Sequence, residues 1–138
     1  MFVLVDTPIW SLALRRTFKD LNPQEKIQTG ALRELIREGR AQLVGPVRQE
    51  LLSGIRHEKA FLELRDHLRA FDQVVLEIAD YEEAARINNR CRSRGIAGSE
   101  IDFLICAIAD RRNWEIFTAD RDFARYAKVL PLRLYEPR

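Results

Sequence analysis

The chain has 138 residues, of which 46% are hydrophobic and 32% charged, with a formal net charge of +2 and two cysteines. That length suits one domain with a continuous core needing no metal or disulfide staple, and the composition excludes a disordered chain. No apolar run approaches bilayer length, the first residues lack the basic leader of a secretory signal, and a cytoplasmic protein is expected.

Phe2-Val-Leu-Val5 opens the chain without polar alternation, the pattern of a short strand covered on both faces. Asp6 breaks the run and Thr7-Pro8 follow. Proline is favoured in the first turn of a helix, so the chain turns there from strand to helix. A carboxylate thus stands at the carboxyl end of a central parallel strand, the edge where open α/β sheets bind ligands.

Ile9 to about Arg15 reads as a short helix and Thr17 to Leu21 as a loop. Asn22-Pro-Gln-Glu25 has the form of a capped helix start. That helix carries Ile27, Ala31, Leu32, Leu35 and Ile36 on one face and ends at Gly39. Ala41 to Val44 is a second strand. Pro46 opens a helix with Val47, Leu51 and Ile55 inward and Glu50 in its first turns. After a break at Gly54 to His57, the spacing of Phe61, Leu64, Leu68 and Phe71 predicts an amphipathic helix.

Gln73 to Leu76 reads as a third strand. Asp80 starts a helix through Tyr81, Ala84, Ile87 and Cys91 that stops at Gly95. Gly98-Ser99 opens the next, whose apolar stripe is Ile101, Leu104, Ile105 and Ile108. Glu115 to Thr118 is a fourth strand, Asp120 to about Tyr126 a short helix, and Lys128 to Tyr135 a last strand broken at Pro131. Strands alternating with helices predict a single three-layer α/β/α domain over residues 1–138, with a mostly parallel sheet of four to five strands. Cys91 and Cys106 lack ligand-like spacing and read as buried thiols, while His57 and His67 fall in charged helical contexts and read as surface residues.

The acidic residues carry the chemistry, and each alone has a structural explanation. Asp6 can cap a helix, Glu50 can complement a helix dipole, and Ser99-Glu-Ile-Asp102 has the shape of a capping box. Yet Asp102 directly follows Ile101 of the apolar stripe, a costly place for an unpartnered carboxylate. Asp120 and Asp122 follow the fourth strand in Phe117-Thr-Ala-Asp-Arg-Asp-Phe123, and capping hardly explains both together with Thr118. If the first and fourth strands are neighbours, Asp6, Glu50, Asp102 and Asp120 converge in one crevice. Four carboxylates that close raise one another's pKa, and a hard divalent cation such as Mg²⁺ or Mn²⁺ resolves the repulsion. The expected chemistry is metal-assisted phosphodiester hydrolysis. Setting the four acids aside raises the formal charge of the remainder from +2 to +6, a mildly basic shell that suits a polyanion and equally suits an ordinary soluble protein. No P-loop, Gly-rich dinucleotide fingerprint, Cys-His pair or Ser-His-Asp triad competes.

Val5-Asp6-Thr7 after an apolar strand, Pro46-Val-Arg-Gln-Glu50-Leu-Leu, Ile101-Asp102-Phe-Leu-Ile-Cys-Ala-Ile-Ala109 and Phe117-Thr118-Ala-Asp120-Arg-Asp122-Phe123 together resemble the motifs of PIN-domain ribonucleases, nearest the VapC toxins of toxin–antitoxin pairs. No single motif is specific; the ordered set spans nearly the whole chain. The resemblance implies a Mg²⁺- or Mn²⁺-dependent endoribonuclease. Asp6, Glu50 and Asp102 match the first three acidic positions, and the fourth is placed on Asp120, with Asp122 auxiliary or alternative. Asp6, Asp102 and Asp120 are then the metal ligands, with Glu50 acting through water. Thr118 and Thr7 match hydroxyl positions that order the site. Pro8 departs from the pattern, where the family usually has Ser, and removes a hydroxyl and an N–H beside the first ligand.

The resemblance further implies a homodimer, and an antitoxin whose basic residue enters the acidic pocket. The helices from Pro23 to Gly39 and Pro46 to Ile55 are candidate clamps for it. Arg111, Arg112, Arg121 and Arg125 flank the strand ending at Thr118 and are candidate grips for RNA phosphates, though a solvated helix face explains them equally well. Two rival functions fit parts of the same sequence. A non-catalytic PIN-like binding or regulatory module would keep the fold. An aspartate phospho-acceptor fits poorly, since Pro8 occupies the second place of an Asp-x-Asp pair and Lys128 is the only late lysine.

Overall fold

The computed structural model describes residues 1–15 and 18–137. The chain runs β1 (Val3–Val5), α1 (Thr7–Arg15), α2 (Pro23–Arg37), β2 (Ala41–Gln42), α3 (Gly45–Leu52), α4 (Glu58–Leu68), α5 (Ile78–Ser93), α6 (Glu100–Arg112), β3 (Glu115–Phe117) and α7 (Asp122–Tyr126). Thr17, where the predicted loop begins, lies outside the described residues, and Phe18–Asp20 form a 3₁₀ turn.

The sheet is parallel, in the order β2-β1-β3. Leu4 of the central strand stands opposite Gln42 on one side and Ile116 on the other. All three residues of β1 are fully buried, as their unalternated apolar run predicts for a strand with helices over both faces. Left-handed turns deliver the chain into both outer strands: Gly39 (φ 71°) after α2 and Asn113 (φ 59°) after α6. At α2 the predicted start is present in full. Asn22 Oδ1 accepts from the backbone N–H of Glu25, and Glu25 Oε1 accepts from that of Asn22.

The sheet departs from expectation at two places. Three strands are present among the described residues, rather than four or five. Residues 73–76 are extended and alternate in burial, Val74 and Leu76 half-buried and Val75 exposed, but no strand lies alongside them. Instead the Val75 carbonyl accepts from Arg112 Nη2 at 3.2 Å. Alternation reports one covered face, which a loop laid over a core shares with a strand. The last predicted strand contracts to a single parallel rung, Ile116 opposite Leu134. Pro131 has no N–H to extend it, and the chain folds on itself there through Leu132 N to Leu130 O at 2.8 Å.

The core joins both helical layers through Trp10, Phe103, Phe117, Phe123 and Tyr126, all essentially inaccessible. α6 is its centre, with Phe103 and Ile105 to Ala109 buried. Some predicted inward faces are shifted. Ile27 and Ile36 of α2 are exposed while Thr29, Leu32 and Leu35 are buried, and Ile101 and Tyr81 are exposed on α6 and α5. Cys91 and Cys106 are buried free thiols, and both histidines are exposed, as expected. Among the described residues no helix is long and apolar enough to cross a membrane.

Candidate functional site

β1 and β3 are adjacent and parallel, so the residues that follow them emerge at the same sheet edge. The backbone N–H of Asp6 donates to Phe117 O at 2.8 Å, extending the ladder one residue past the strand. Asp6 Oδ1 accepts the N–H of Thr7 at 2.8 Å, and its main-chain carbonyl accepts from Ile9 at 3.2 Å. It therefore starts α1 as a cap while its other oxygen faces across the edge. That oxygen, Oδ2, accepts from Thr118 Oγ1 at 2.8 Å. Asp6 is 5% exposed, and burial pushes its pKa up from 3.8 to about 6, against those two hydrogen bonds and with the charges of Asp102 and Glu50 adding to the rise.

Thr118 serves a second acid as well. Its Oγ1 accepts the backbone N–H of Asp120 at 3.0 Å, and Asp120 Oδ1 accepts that of Asp122 at 2.9 Å. These two local bonds fold the turn after β3 so that both carboxylates face α6. On α6, Ser99 Oγ caps the N-terminus by accepting the N–H of Asp102 at 3.0 Å. The Asp102 carboxylate, half-buried in that first turn, accepts the hydroxyl of Tyr126 at 2.7 Å. Burial is the main cause of its raised pKa, and the charges of Asp120 and Asp122 add to it.

One oxygen from each of Asp102, Asp120 and Asp122 lies within 4.8 Å of the others. This trio holds the expected Asp102 and Asp120 together with Asp122, the auxiliary or alternative fourth acid. Asp6 lies beside the trio at the buried floor of the crevice, with Oδ1 accepting from the Thr7 N–H and Oδ2 from the Thr118 hydroxyl. Glu50 is exposed on α3 and reaches the cluster only as a longer-range charge on Asp6. Thr7 sits beside Asp6, but its hydroxyl is buried with no hydrogen-bond partner among the described residues; its backbone N–H is the group that Asp6 uses.

The four arginines do not act as one set. Arg111 and Arg112 each place Nη1 2.7 Å from Asp80 Oδ1, and Arg112 Nη2 lies 3.0 Å from Oδ2. They close a buried ion cluster between α5 and α6 and leave the acidic crevice to others. Arg125 donates to Ala97 O at 3.1 Å and lies 3.4 Å from Asp122 Oδ1, at the rim. Arg121 is exposed between Asp120 and Asp122.

All donors at the crevice are carboxylate or hydroxyl oxygens, a set that fits a hard, oxygen-seeking cation and not a soft one. Three carboxylates this close, with Asp102 half-buried and a buried fourth in Asp6 beside them, repel one another unless a positive charge sits among them. Such a centre can orient a phosphate and a water against each other. Tyr126, which touches the cluster from outside the motifs, left a faint sequence signal: an aromatic with a polar tip, four residues after Asp122 on the same short helix.

The family profile described as PIN domain matches residues 3–129. No curated protein matches the chain in sequence. Among solved structures, the chain is similar to VapBC2 from Rickettsia felis bound to a DNA fragment from their promoter, with a TM-score of 0.76, 16% identity, and coverage of 98% of each chain. It is also similar to FitAcB from Neisseria gonorrhoeae, with a TM-score of 0.74 and 19% identity over 99% of this chain and 98% of that one. A toxin-antitoxin complex from Klebsiella pneumoniae matches with a TM-score of 0.65 and 19% identity over 96% of this chain and 99% of that one. At such identities the likeness is one of fold.

Proposed function

The chain belongs to the PIN-domain family, and from that premise we propose that it is a Mg²⁺- or Mn²⁺-dependent endoribonuclease acting as the toxin of a toxin–antitoxin pair. The observation that carries this reading is the convergence of Asp102, Asp120 and Asp122 within 4.8 Å, beside buried Asp6 at the carboxyl edge of the sheet. Asp6, Asp102 and Asp120 are the direct ligands in this reading, Asp122 stands beside them as the auxiliary or alternative acid, and Glu50 acts through a bound water. Thr118 holds Asp6 and Asp120 in register, and the Thr7 N–H fixes the remaining oxygen of Asp6. The cation, when bound, polarises the scissile phosphoryl oxygen and lowers the pKa of a bound water. A carboxylate of the site that is not engaged by the cation orients that water and takes its proton. Arg121 and Arg125 at the rim are the better placed of the four arginines to meet RNA phosphates, since Asp80 engages Arg111 and Arg112.

The partners follow from the same reading. Structural neighbours described as VapBC and as a toxin-antitoxin complex support a cognate antitoxin. An apolar groove lined by Ala13, Leu14, Leu32, Ile36 and Phe71, between α1, α2 and the end of α4, suits its amphipathic segment. The exposed Val75, Ile78, Tyr81 and Ile101 suit a homodimer contact. A single domain working in the cytoplasm completes the proposal.

The test is cleavage of RNA by the purified antitoxin-free protein with Mg²⁺, with EDTA, and after Asp6→Asn or Asp102→Asn. Cleavage with Mg²⁺ alone, abolished in the other three arms, is the expected result. Equal cleavage in all four would mean a contaminating nuclease and end this reading.

A further inference from the structure

Tyr126 is fully buried on α7, with its ring held between Phe103 (centroids 5.2 Å apart) and Phe123 (5.3 Å). A phenol buried among aromatic rings needs an acceptor for its hydroxyl. It finds one in Asp102 Oδ2 at 2.7 Å, a normal length for an O–H···O hydrogen bond. The approach depends on the residue before the α6 cap being glycine. A Cβ at position 98 would lie 2.5 Å from the Tyr126 hydroxyl oxygen, 2.9 Å from its Cε1 and 2.7 Å from Phe103 Cζ. Gly98 is thus the clearance through which Tyr126 reaches the carboxylate.

We infer that Tyr126 is a positioning residue for the cation-binding carboxylate of Asp102, admitted by Gly98; the inference rests on the reading above that Asp102 holds a divalent cation. Ser99 fixes the backbone of Asp102 through its N–H, and Tyr126 fixes the carboxylate through Oδ2, so both ends of this short side chain are constrained. With Oδ2 engaged, the carboxylate cannot swing freely about its Cβ–Cγ bond, and the remaining oxygen keeps one direction relative to Asp120 and Asp122. A freed carboxylate would instead have to be ordered at the moment of binding. Partners that orient ligands in this way contribute about 10- to 100-fold to metal affinity. Packing alone does not require the hydroxyl: phenylalanine would fill the same space between Phe103 and Phe123.

Mn²⁺ titrated into the full-length antitoxin-free chain, with free ion read by electron paramagnetic resonance, tests this. Tyr126→Phe keeps the ring and removes one oxygen; it is expected to weaken Mn²⁺ binding about 10-fold while the metal-free melting temperature stays within a few degrees. Gly98→Ala keeps the phenol but displaces it, so it should weaken binding as well, and it carries the measurement should Tyr126→Phe not fold. In cleavage assays the Mg²⁺ concentration for half-maximal rate should rise in Tyr126→Phe while the KM for RNA is unchanged. Asp102→Asn is the reference that loses Mn²⁺. Loss in Asp102→Asn with unaltered affinity in Tyr126→Phe overturns the positioning role and leaves the metal reading standing. Unaltered affinity in Asp102→Asn overturns both.

Discussion

The hydroxyl of Thr118 donates to Asp6 Oδ2 at 2.8 Å across 112 residues of sequence, and Thr118 Oγ1 itself accepts the backbone N–H of Asp120 at 3.0 Å. One side chain thereby ties the end of the central strand to the turn that carries two further acids. Thr118→Val preserves the shape and removes both bonds. Hydrogen bonds to charged groups contribute about 1.5–3 kcal/mol, so RNA cleavage should fall about 10- to 100-fold in kcat/KM. Thr118→Ser should recover most of it. A valine variant as active as the unaltered protein would remove Thr118 from the site.

Asp6 makes the metal-free chain sensitive to pH in an unusual direction. Its folded-state pKa is raised by burial to about 6 from 3.8, so the folded chain holds this proton more tightly than the unfolded chain does. The stability it contributes is full below about pH 4 and is lost as pH rises through about 6. At 1.36 kcal/mol per pKa unit the loss is on the order of 3 kcal/mol. Asp102 is shifted the same way and adds to the slope. In EDTA, the melting temperature should therefore fall between about pH 4 and pH 6. Asp6→Asn should flatten that fall and leave the chain a few degrees more stable at neutral pH. A melting temperature that rises over this interval would contradict the burial of an uncompensated acid.

Local rules made much of this arrangement legible. The break from Val5 to Asp6 marked the strand end because an apolar run stopping at Asp-Thr-Pro has few other solutions, and Asn22-Pro-Gln-Glu25 spelled a cap whose two bonds are both present. Residues 73–76 were misleading because alternation at Val74, Val75 and Leu76 records which face is covered, not whether a neighbouring strand exists. The same limit hid Arg111 and Arg112. Their spacing suits a solvated helix face, and only the fold reveals Asp80 on the preceding helix. Which acids share a cluster was also a matter of tertiary geometry: the turn after Thr118 brings Asp122 as well as Asp120 within reach of Asp102.

Asp80 has no exposed surface and accepts from Arg111, Arg112 and the backbone N–H of Glu77, which together hold its carboxyl well below the usual carboxylate range. Arg112 also reaches Val75 O, so it secures both the helix pair and the extended loop before α5. Arg112→Ala leaves a buried carboxylate with half its compensation, and breaking such a pair costs about 3–5 kcal/mol. Denaturant unfolding should show a loss of that size. The salt dependence of RNA cleavage by the folded fraction should stay unchanged, whereas each lost phosphate contact to a single strand reduces the log–log slope by about 0.7. A reduced slope in Arg112→Ala would return this arginine to the list of phosphate grips.

The exposed apolar side chains on the α5–α6 side argue for a face that is covered in solution. Val75 (68% exposed), Ile78 (79%), Tyr81 (55%) and Ile101 (38%) come from the loop before α5, α5 itself and the first turn of α6. Tyr81 and Ile101 line one groove with Ala84 and Leu104. Leaving such groups in water forgoes about 25 cal/mol for each Å² of apolar surface, which pairing with a second copy would recover. Sedimentation of the antitoxin-free chain should therefore give a dimer, and Tyr81→Asp or Ile101→Asp should convert it to monomer without lowering the melting temperature of the isolated subunit. Ile27→Asp, on exposed α2 surface, should leave the mass unchanged. A Tyr81→Asp protein that remained dimeric would move the contact to another face.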